Sequence, residues 1–220
     1  MQQHAWRRWV STQQRVAVFM AGLPGSGKTR IIQGLYGATT GTTILDLDRE
    51  MRAHPLYDPT RPAKVYEARG AYDWANDRVE RRFQAAVRDD AVSRIVLDGT
   101  GTKINRRLRR IATARAHGLR TIMLYVRVSL ATALRRNAKR CRVVPARKLE
   151  EYQILIDRAL CVEEGQVDCY EIIDNDQDIP DRDKHIRDIR SSKPHLKCVH
   201  ECPAAEIVPR DVSVVVEVSS

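Results

Sequence analysis

The 220-residue sequence predicts an α/β domain with a mainly parallel five-stranded sheet that is covered by helices on both faces. Short apolar runs, too short for buried helices, recur along the chain and are typical of strands buried on both faces. Segments with helical spacing separate these runs, which gives the alternation expected of βαβ units. The predicted domain takes residues 15–180, between a basic N-terminal tail (1–14) and a C-terminal extension (181–220).

The apolar runs define the strands in order. Strands are predicted at 15–21, 42–47, 94–98, 120–126 and 170–174. The first, Arg15-Val-Ala-Val-Phe-Met-Ala21, leads directly into a glycine-rich loop, and the second is followed by irregular sequence. Pro55, Pro59 and Pro62 exclude a continuous helix there, because proline lacks the backbone donor and clashes with the preceding turn.

The segments between the strands carry the helical spacing. Helices are predicted at 29–36, 72–89, 103–117, 130–140 and 147–163. The third is very basic and is ended by Gly118, a residue type that commonly terminates helices. Beyond Pro180 the alternation decays, and the predicted elements there are a helix at 185–192 and an edge strand at 212–218.

The composition favours negatively charged partners but does not identify a particular one. Thirty-eight basic against 28 acidic residues give a net charge of +10, which favours nucleic acid, phosphorylated substrates, anionic lipid or an acidic protein surface. No apolar run approaches the ~18 residues of a membrane span, so none is predicted. The five cysteines form no CxxC pair and indicate reduced thiols in an intracellular protein.

The N-terminal residues suggest a compartment. Arg7, Arg8 and Arg15 precede any acidic residue, and the first acid of the chain is Asp46. Arginine-rich, acid-free starts are typical of mitochondrial presequences, whereas the alternative is a loose basic tail. We therefore expect the protein to be located either in the cytoplasm or in the mitochondrial matrix, and the sequence does not decide between the two.

The glycine-rich loop carries the strongest chemical signal. Gly22-x4-Gly27-Lys28-Thr29 follows a buried strand and opens a helix, as a phosphate-binding loop requires. Its glycines let backbone N–H groups point at the β-phosphate, Lys28 places its charge on the β/γ oxygens, and the Thr29 hydroxyl is a ligand for Mg²⁺. The predicted ATP-binding residues are Gly22, Gly25, Ser26, Gly27, Lys28 and Thr29.

Three aspartates follow predicted strands at the edge where ligands bind in open α/β sheets. Asp98 ends the third strand and is expected to hold Mg²⁺ or its water, although an Asp before Gly can also be a simple turn former. Asp46 and Asp48 end the second strand and are candidate general bases for an acceptor hydroxyl. We expect them to share one face of that strand, since side chains alternate along it.

Arginines late in the chain complete the predicted active site. Arg135, Arg136, Arg140 and Arg142, followed by Pro145, are expected to form a lid over the phosphates. The basic helix at 103–117 is either a solvated face or a surface for a nucleic-acid backbone.

Four blocks of the sequence resemble the zeta-toxin and polynucleotide-kinase group of P-loop kinases, and zeta toxins most. The blocks are Gly22-Leu-Pro-Gly-Ser-Gly-Lys-Thr29, Leu45-Asp-Leu-Asp-Arg-Glu-Met-Arg-Ala-His-Pro55, Leu97-Asp-Gly-Thr-Gly101 and Arg140-Cys-Arg-Val-Val-Pro145. The resemblance spans roughly residues 15–175 and implies a P-loop kinase fold that uses ATP and Mg²⁺.

The resemblance also implies a role for individual residues. Asp48 corresponds to the general base, and Asp46 becomes either a carboxylate that supports the site from behind or one on the metal side. Glu80, in Asn76-x3-Glu80, and Thr100 correspond to residues that contact the acceptor. Arg140 and Arg142 correspond best to the lid arginines. The sequence departs from the family in having Asp98 in place of a glutamate, Thr102 in place of a basic residue, and a much shorter lid.

The resulting expectation is an ATP-dependent kinase whose acceptor is a hydroxyl of a nucleotide sugar or another small molecule. A polynucleotide 5′-hydroxyl kinase is one alternative, supported by the charge. The other is a kinase-fold accessory subunit of a large cytoplasmic or mitochondrial protein complex, in which its basic surfaces serve as contacts.

Overall fold

The computed structural model of the chain describes residues 14–140 and 142–176. The strands are β1 (Val16–Ala21), β2 (Thr42–Asp46), β3 (Arg94–Asp98), β4 (Arg120–Arg127) and β5 (Cys169–Asp174). The α-helices are α1 (Lys28–Tyr36), α2 (Leu47–Arg52), α3 (Ala71–Arg88), α4 (Ile104–Ala116), α5 (Leu130–Asn137) and α6 (Ala146–Glu163). Two short 3₁₀-helices complete the described elements, Lys64–Glu67 and Glu164–Gln166.

The five strands form one sheet in the order β2-β3-β1-β4-β5, and every neighbouring pair is parallel. The predicted α/β class, with a parallel five-stranded sheet and helices on both faces, is therefore confirmed. Because all strands point the same way, their carboxyl ends lie at one edge. That edge carries the phosphate-binding loop after β1, and Asp46 lies beside Asp98 in register at the ends of β2 and β3.

Alternating side chains of the central strand supply both halves of the core. Phe19 packs on one face with Phe83 of α3 and Ile156 of α6, whereas Met20 packs on the other face with Ile32 of α1. These side chains are essentially inaccessible, and burying each such group stabilises the fold by about 1.5–3 kcal/mol. The sheet edge that holds the acidic residues is thus built on a rigid two-sided core.

The main departure from the predicted elements lies directly after β2. The strand ends at Asp46 rather than at Leu47, and Leu47–Arg52 forms a helix. Asp46 is the N-cap of this helix, and its side chain accepts a hydrogen bond from the backbone N–H of Asp48 at 2.9 Å. The expectation that Asp46 and Asp48 share one face of a strand is therefore wrong, since Asp48 lies in the first turn of α2.

Other predictions have simpler outcomes. Within the described residues, the other predicted strands and helices are present, most of them with shifts of one residue at an end, and the helix expected to reach Arg140 ends at Asn137. Among the described residues, no helix combines the length and apolar composition of a membrane span. Cys161 is a free thiol, and the Cys169 sulfur accepts a hydrogen bond from Arg120 at 2.9 Å. The elements expected at 185–192 and 212–218, and the domain boundary at 180, lie outside the described residues.

Candidate active site

The loop between β1 and α1 depends on glycine at positions where a side chain would not fit. Gly25 and Gly27 have φ angles of 88° and 92°, in the left-handed region. A Cβ on Gly25 would lie 2.7 Å from the carbonyl oxygen of Ala133, and a Cβ on Gly27 would lie 2.6 Å from Nδ2 of Asn175. That same Nδ2 donates a hydrogen bond to the carbonyl of Ser26 at 2.7 Å, so the end of β5 fixes the loop from outside.

The Lys28 ammonium lies inside this loop and is 8% exposed. Its Nζ donates to the carbonyl oxygens of Gly22 and Leu23 at 2.8 and 3.0 Å. Burial lowers the pKa of Lys28 to about 8; the Asp98 carboxylate opposes this shift, and Arg140 adds to it. A desolvated cation that polar loop atoms orient is suited to bind a phosphate group.

Thr29 and Asp98 form the predicted metal side of the site. The Thr29 hydroxyl donates to Oδ2 of Asp98 at 2.7 Å, which joins the start of α1 to the end of β3. Burial raises the pKa of the nearby Asp46 carboxyl, and the charges of Asp98 and Asp48 raise it further. These three carboxylates repel one another, so a cation among them would be stabilised.

Within residues 14–140 and 142–176, no group of three or more His, Cys, Asp or Glu side chains is arranged to hold a metal ion by itself. This suits Mg²⁺, which usually keeps several waters and binds through one or two carboxylates together with substrate phosphates. Thr29 and Asp98 fit such a partial ligand set, with Asp46 beside them.

Asp48 has two side-chain donors, and both reach the same oxygen. The Tyr66 hydroxyl donates to Oδ1 at 2.7 Å, and a guanidinium nitrogen of Arg142 lies 3.3 Å from Oδ1. The Arg142 guanidinium also stacks on the Tyr66 ring, 3.5 Å from the ring centre. Tyr66 was not predicted as a site residue, because it lies in an irregular, proline-rich segment that carries no recognisable spacing.

One cleft of about 490 Å³ brings most of the predicted site together. Its lining includes Lys28, Thr29, Asp46, Asp48, Asp98, Thr100, Arg140 and Arg142. The remaining predicted loop residues, Gly22, Gly25, Ser26 and Gly27, form the loop that carries Lys28. The donor loop and the residues expected to act on the acceptor therefore face one space.

Glu80 does not line this cleft. Its carboxylate instead accepts from Arg110 at 2.8 Å and from the Gln84 side chain at 3.0 Å. Asn76, one turn earlier on α3, does line the cleft, and its side-chain oxygen accepts from Arg106. The structure thus places the Asn76 end of the predicted pair at the cleft and the Glu80 end in an ion pair with α4.

The loop that carries Thr100 is held from below by a buried arginine. Arg107 donates to the carbonyls of Gly101 and Met20 at 2.9 and 3.2 Å, and it pairs with the fully buried Glu163 of α6. Above, the Thr100 carbonyl accepts from the backbone N–H of Gly22 at 3.0 Å. Thr100 is therefore tied both to the phosphate loop and to the core.

The segment between α5 and α6, the predicted lid, is pinned by a buried asparagine. Asn137 ends α5, is 2% exposed, and pairs through its side chain with both backbone groups of Val144, at 2.7 and 3.1 Å. This closed loop presents Arg140 and Arg142 to the cleft, whereas neither Arg135 nor Arg136 lines it.

The basic helix α4 uses several of its cations internally. Arg106, Arg107 and Arg110 bond to Asn76, Glu163 and Glu80, and Arg115 pairs with Asp168 at 3.3 Å. Only Lys103 and Arg109 are exposed with no ion pair among the described residues. The helix is therefore not a continuous row of cations for a nucleic-acid backbone.

These features define the class of the protein. A parallel sheet with a glycine-rich phosphate loop after its first strand, and with acidic side chains beyond two neighbouring strands, is a P-loop kinase-like nucleotide-binding domain. The family follows from the sequence: residues 18–157 match the model of the AAA domain family AAA_33, and the chain belongs to this family. No curated protein gives a significant sequence match.

Two solved structures share the fold. One comes from the PezAT chromosomal toxin–antitoxin system of Streptococcus pneumoniae, with 18% identity, a TM-score of 0.56, and coverage of 78% of this chain and 75% of that one. The other is from the Pnkp1/Rnl/Hen1 RNA repair complex, with 15% identity and a TM-score of 0.50; it covers 68% of this chain but only 46% of that one. The resemblance to the zeta-toxin and polynucleotide-kinase group is thus confirmed at the level of the fold.

Proposed function

We propose that the protein is an ATP-dependent kinase that transfers the γ-phosphoryl group to a hydroxyl of a nucleotide sugar or another small molecule. One observation carries this proposal: Asp48 and Lys28 line the same cleft, together with Arg140 and Arg142. A phosphate-binding cation, a carboxylate and further cations around one space are what transfer to a hydroxyl requires.

The donor half of the cleft would bind ATP through the phosphate loop. The backbone N–H groups of the loop and the start of α1 face the phosphates, and Lys28 supplies charge to the β/γ oxygens. Thr29 and Asp98 would hold Mg²⁺, which would neutralise phosphate charge when it is bound. Arg140, which already acts on the same site electrostatically, would screen the charge on the transferring group.

Asp48 would act on the acceptor. The acceptor hydroxyl donates a hydrogen bond to this carboxylate, which takes the proton as the oxygen–phosphorus bond forms and the bond from the γ-phosphorus to ADP breaks. The fold positions Asp48 in the first turn of a helix whose N-cap is Asp46, so one short element sets both carboxylates. Asp46 is committed to that cap and suits the metal side better than the role of base.

Other residues that line the cleft suggest what kind of acceptor fits. They include the basic residues Lys103, Arg106 and Lys148 and the aromatic residues Tyr72 and Tyr152. A lining with both cations and aromatic rings favours an acceptor that combines anionic groups with a flat or sugar ring, such as a nucleotide sugar. The resemblance to zeta toxins, which phosphorylate UDP-N-acetylglucosamine, supports the same class.

A polynucleotide 5′-hydroxyl kinase is the second candidate. The same basic lining and the shared fold with a chain of an RNA repair complex favour it. The inward pairing of α4 argues against it, since that helix offers few cations to a long polyanion. A nucleic-acid acceptor would also make binding strongly salt-dependent, because condensed counterions would be released.

The test is transfer of label from [γ-³²P]ATP to UDP-N-acetylglucosamine, nucleosides, small alcohols and a 5′-hydroxyl oligonucleotide. We expect a labelled small-molecule product that requires Mg²⁺ and is lost in Lys28→Ala. Labelling of the oligonucleotide alone, with salt-sensitive binding, would select the second candidate. ATP binding without transfer to any acceptor would contradict both and favour the accessory-subunit alternative.

A further inference from the structure

Tyr66 occupies a position that its own segment fixes firmly. It lies in the 3₁₀-helix Lys64–Glu67, between α2 and α3. The preceding residue, Val65, is 1% exposed and packs with Met51, Ala71 and Ala75 in a small separate core. Because this core anchors the backbone, the Tyr66 side chain reaches the cleft from a rigid base.

The two carboxylate oxygens of Asp48 have different surroundings. Both the Tyr66 hydroxyl and Arg142 approach Oδ1, at 2.7 and 3.3 Å. In the part of the chain that the structure describes, no side chain donates a hydrogen bond to Oδ2. When donors hold one oxygen of a carboxylate, the orientation of the other oxygen is fixed as well. That second oxygen is then available to accept a hydrogen bond from a ligand.

We propose that Tyr66 is a positioning residue for phosphoryl transfer: it holds Oδ1 of Asp48 so that Oδ2 receives the acceptor proton, and its ring seats the lid residue Arg142. This inference rests on the proposed function, in which Asp48 is the general base. One aromatic side chain then sets both the base and a lid cation relative to the phosphates.

The chemistry of the phenol suits a permanent donor. Burial raises the pKa of Tyr66 above that of a free tyrosine, and the adjacent Asp48 raises it further, while Arg142 lowers it. The hydroxyl therefore keeps its proton at neutral pH and can only donate to the carboxylate. The flat ring face holds the guanidinium by cation–π attraction.

The kinetic test uses Tyr66→Phe, which removes the hydroxyl and keeps the ring beneath Arg142. We expect kcat to fall about tenfold, equivalent to 1.4 kcal/mol, with KM for ATP unchanged. Tyr57→Phe is the matched control, since Tyr57 packs against the same small core but does not line the cleft.

The mechanism predicts that the effects of Tyr66→Phe and Asp48→Asn on the rate of transfer are not additive. In an Asp48→Asn background, measured by single turnover with [γ-³²P]ATP and UDP-N-acetylglucosamine or the 5′-hydroxyl oligonucleotide, Tyr66→Phe should have no further effect on transfer. The same tenfold loss in both backgrounds would overturn the positioning role and leave Tyr66 as a packing residue.

A second measurement needs no acceptor and thus separates failure of this inference from failure of the proposed function. Protein labelled with ¹³Cζ-tyrosine is titrated from pH 7 to 12 by NMR, with Tyr66 assigned through Tyr66→Phe. We expect Tyr66 to begin titrating at a lower pH in Asp48→Asn than in the wild type, because burial still raises the pKa of Tyr66 in the variant but the neighbouring negative charge is gone. Identical titration in both proteins would show that the contact does not exist in solution.

Discussion

The two halves of the cleft are built in different ways. The donor half is local: eight consecutive residues, from Gly22 after β1 to Thr29 in the first turn of α1, supply the loop, the lysine and the threonine. The acceptor half gathers Asp48, Tyr66, Thr100 and Arg142 from four separate segments, which ion pairs and side-chain hydrogen bonds hold together. Backbone geometry therefore defines the first half, whereas tertiary contacts define the second.

This difference has a consequence for substitutions. A substitution in the donor half should remove only the function of the substituted side chain, because the glycines still determine the backbone path of the loop. A change in the acceptor half also acts through its partners, as Arg107 shows by joining the Thr100 loop to a buried glutamate on α6.

Asp48→Asn tests the acceptor half most directly. We expect kcat to fall by about 10²–10⁴ with ATP binding preserved, because the amide cannot accept the acceptor's proton. Asp46→Asn is the matched control: asparagine also caps helices, so α2 should persist, and the change should lower kcat less and alter the Mg²⁺ dependence instead. Steady-state kinetics with titrated Mg²⁺ measures both. A larger loss of kcat in Asp46→Asn at saturating Mg²⁺ would exchange the two roles.

Lys28→Ala tests the donor half. We expect transfer to fall about 10²–10³-fold or more, since the charge on the β/γ oxygens is lost, while the melting temperature stays near that of the wild type. Lys64→Ala, a change at an exposed lysine, is the control. A Lys28→Ala enzyme with near-normal turnover would remove the ATP-site assignment.

Glu163→Gln tests whether the acceptor half depends on contacts far from the chemistry. Arg107 is 7% exposed and Glu163 is fully buried. Removing the Glu163 charge leaves the buried Arg107 charge without its partner, so we expect the free energy of unfolding to fall by about 3–5 kcal/mol. Glu151→Gln, on the same helix but in an exposed pair with Lys148, should cost under about 1 kcal/mol. Urea denaturation compares the two; equal midpoints would mean that the buried pair adds nothing.

The smallest expected effect is a pH dependence of the donor half. The pKa of Lys28, lowered to about 8 by burial, means that the free protein loses this proton as the pH rises through 8. Triphosphate binding favours the protonated form, so binding above pH 8 must take up a proton, and affinity should fall by up to about tenfold per pH unit. Calorimetry in two buffers of different ionisation enthalpy at pH 9 measures the uptake. Lys28→Met should show none.

The contrast between the halves also explains what the sequence could predict. The phosphate loop was predictable because its spacing, its preceding strand and its following helix are contiguous. Asp98 lies at the end of β3, where the sequence predicts it, and it contacts Thr29; their role as the metal side stays a prediction. Where a residue's surroundings are its chain neighbours, pattern and structure coincide.

The acceptor half was less accessible to sequence reasoning. Helix α2 has six residues, too few to show helical periodicity, and Leu47 continues the apolar alternation of β2 past its true end. Glu80 pairs with a residue 30 positions away, and Arg107 with one 56 positions away. No local signal encodes such partners, which only the packing of α3, α4 and α6 brings together.

The contact from Asn175 to the Ser26 carbonyl links the last strand to the nucleotide site. Ligand that tightens the phosphate loop must then also tighten the outer edge of the sheet, since one hydrogen bond belongs to both. Opening of that edge and release of nucleotide are then coupled: bound nucleotide opposes opening of the edge, and opening of the edge favours release of nucleotide. Bound ATP would accordingly slow amide exchange in β5, a strand that contributes no residue to the lining of the cleft.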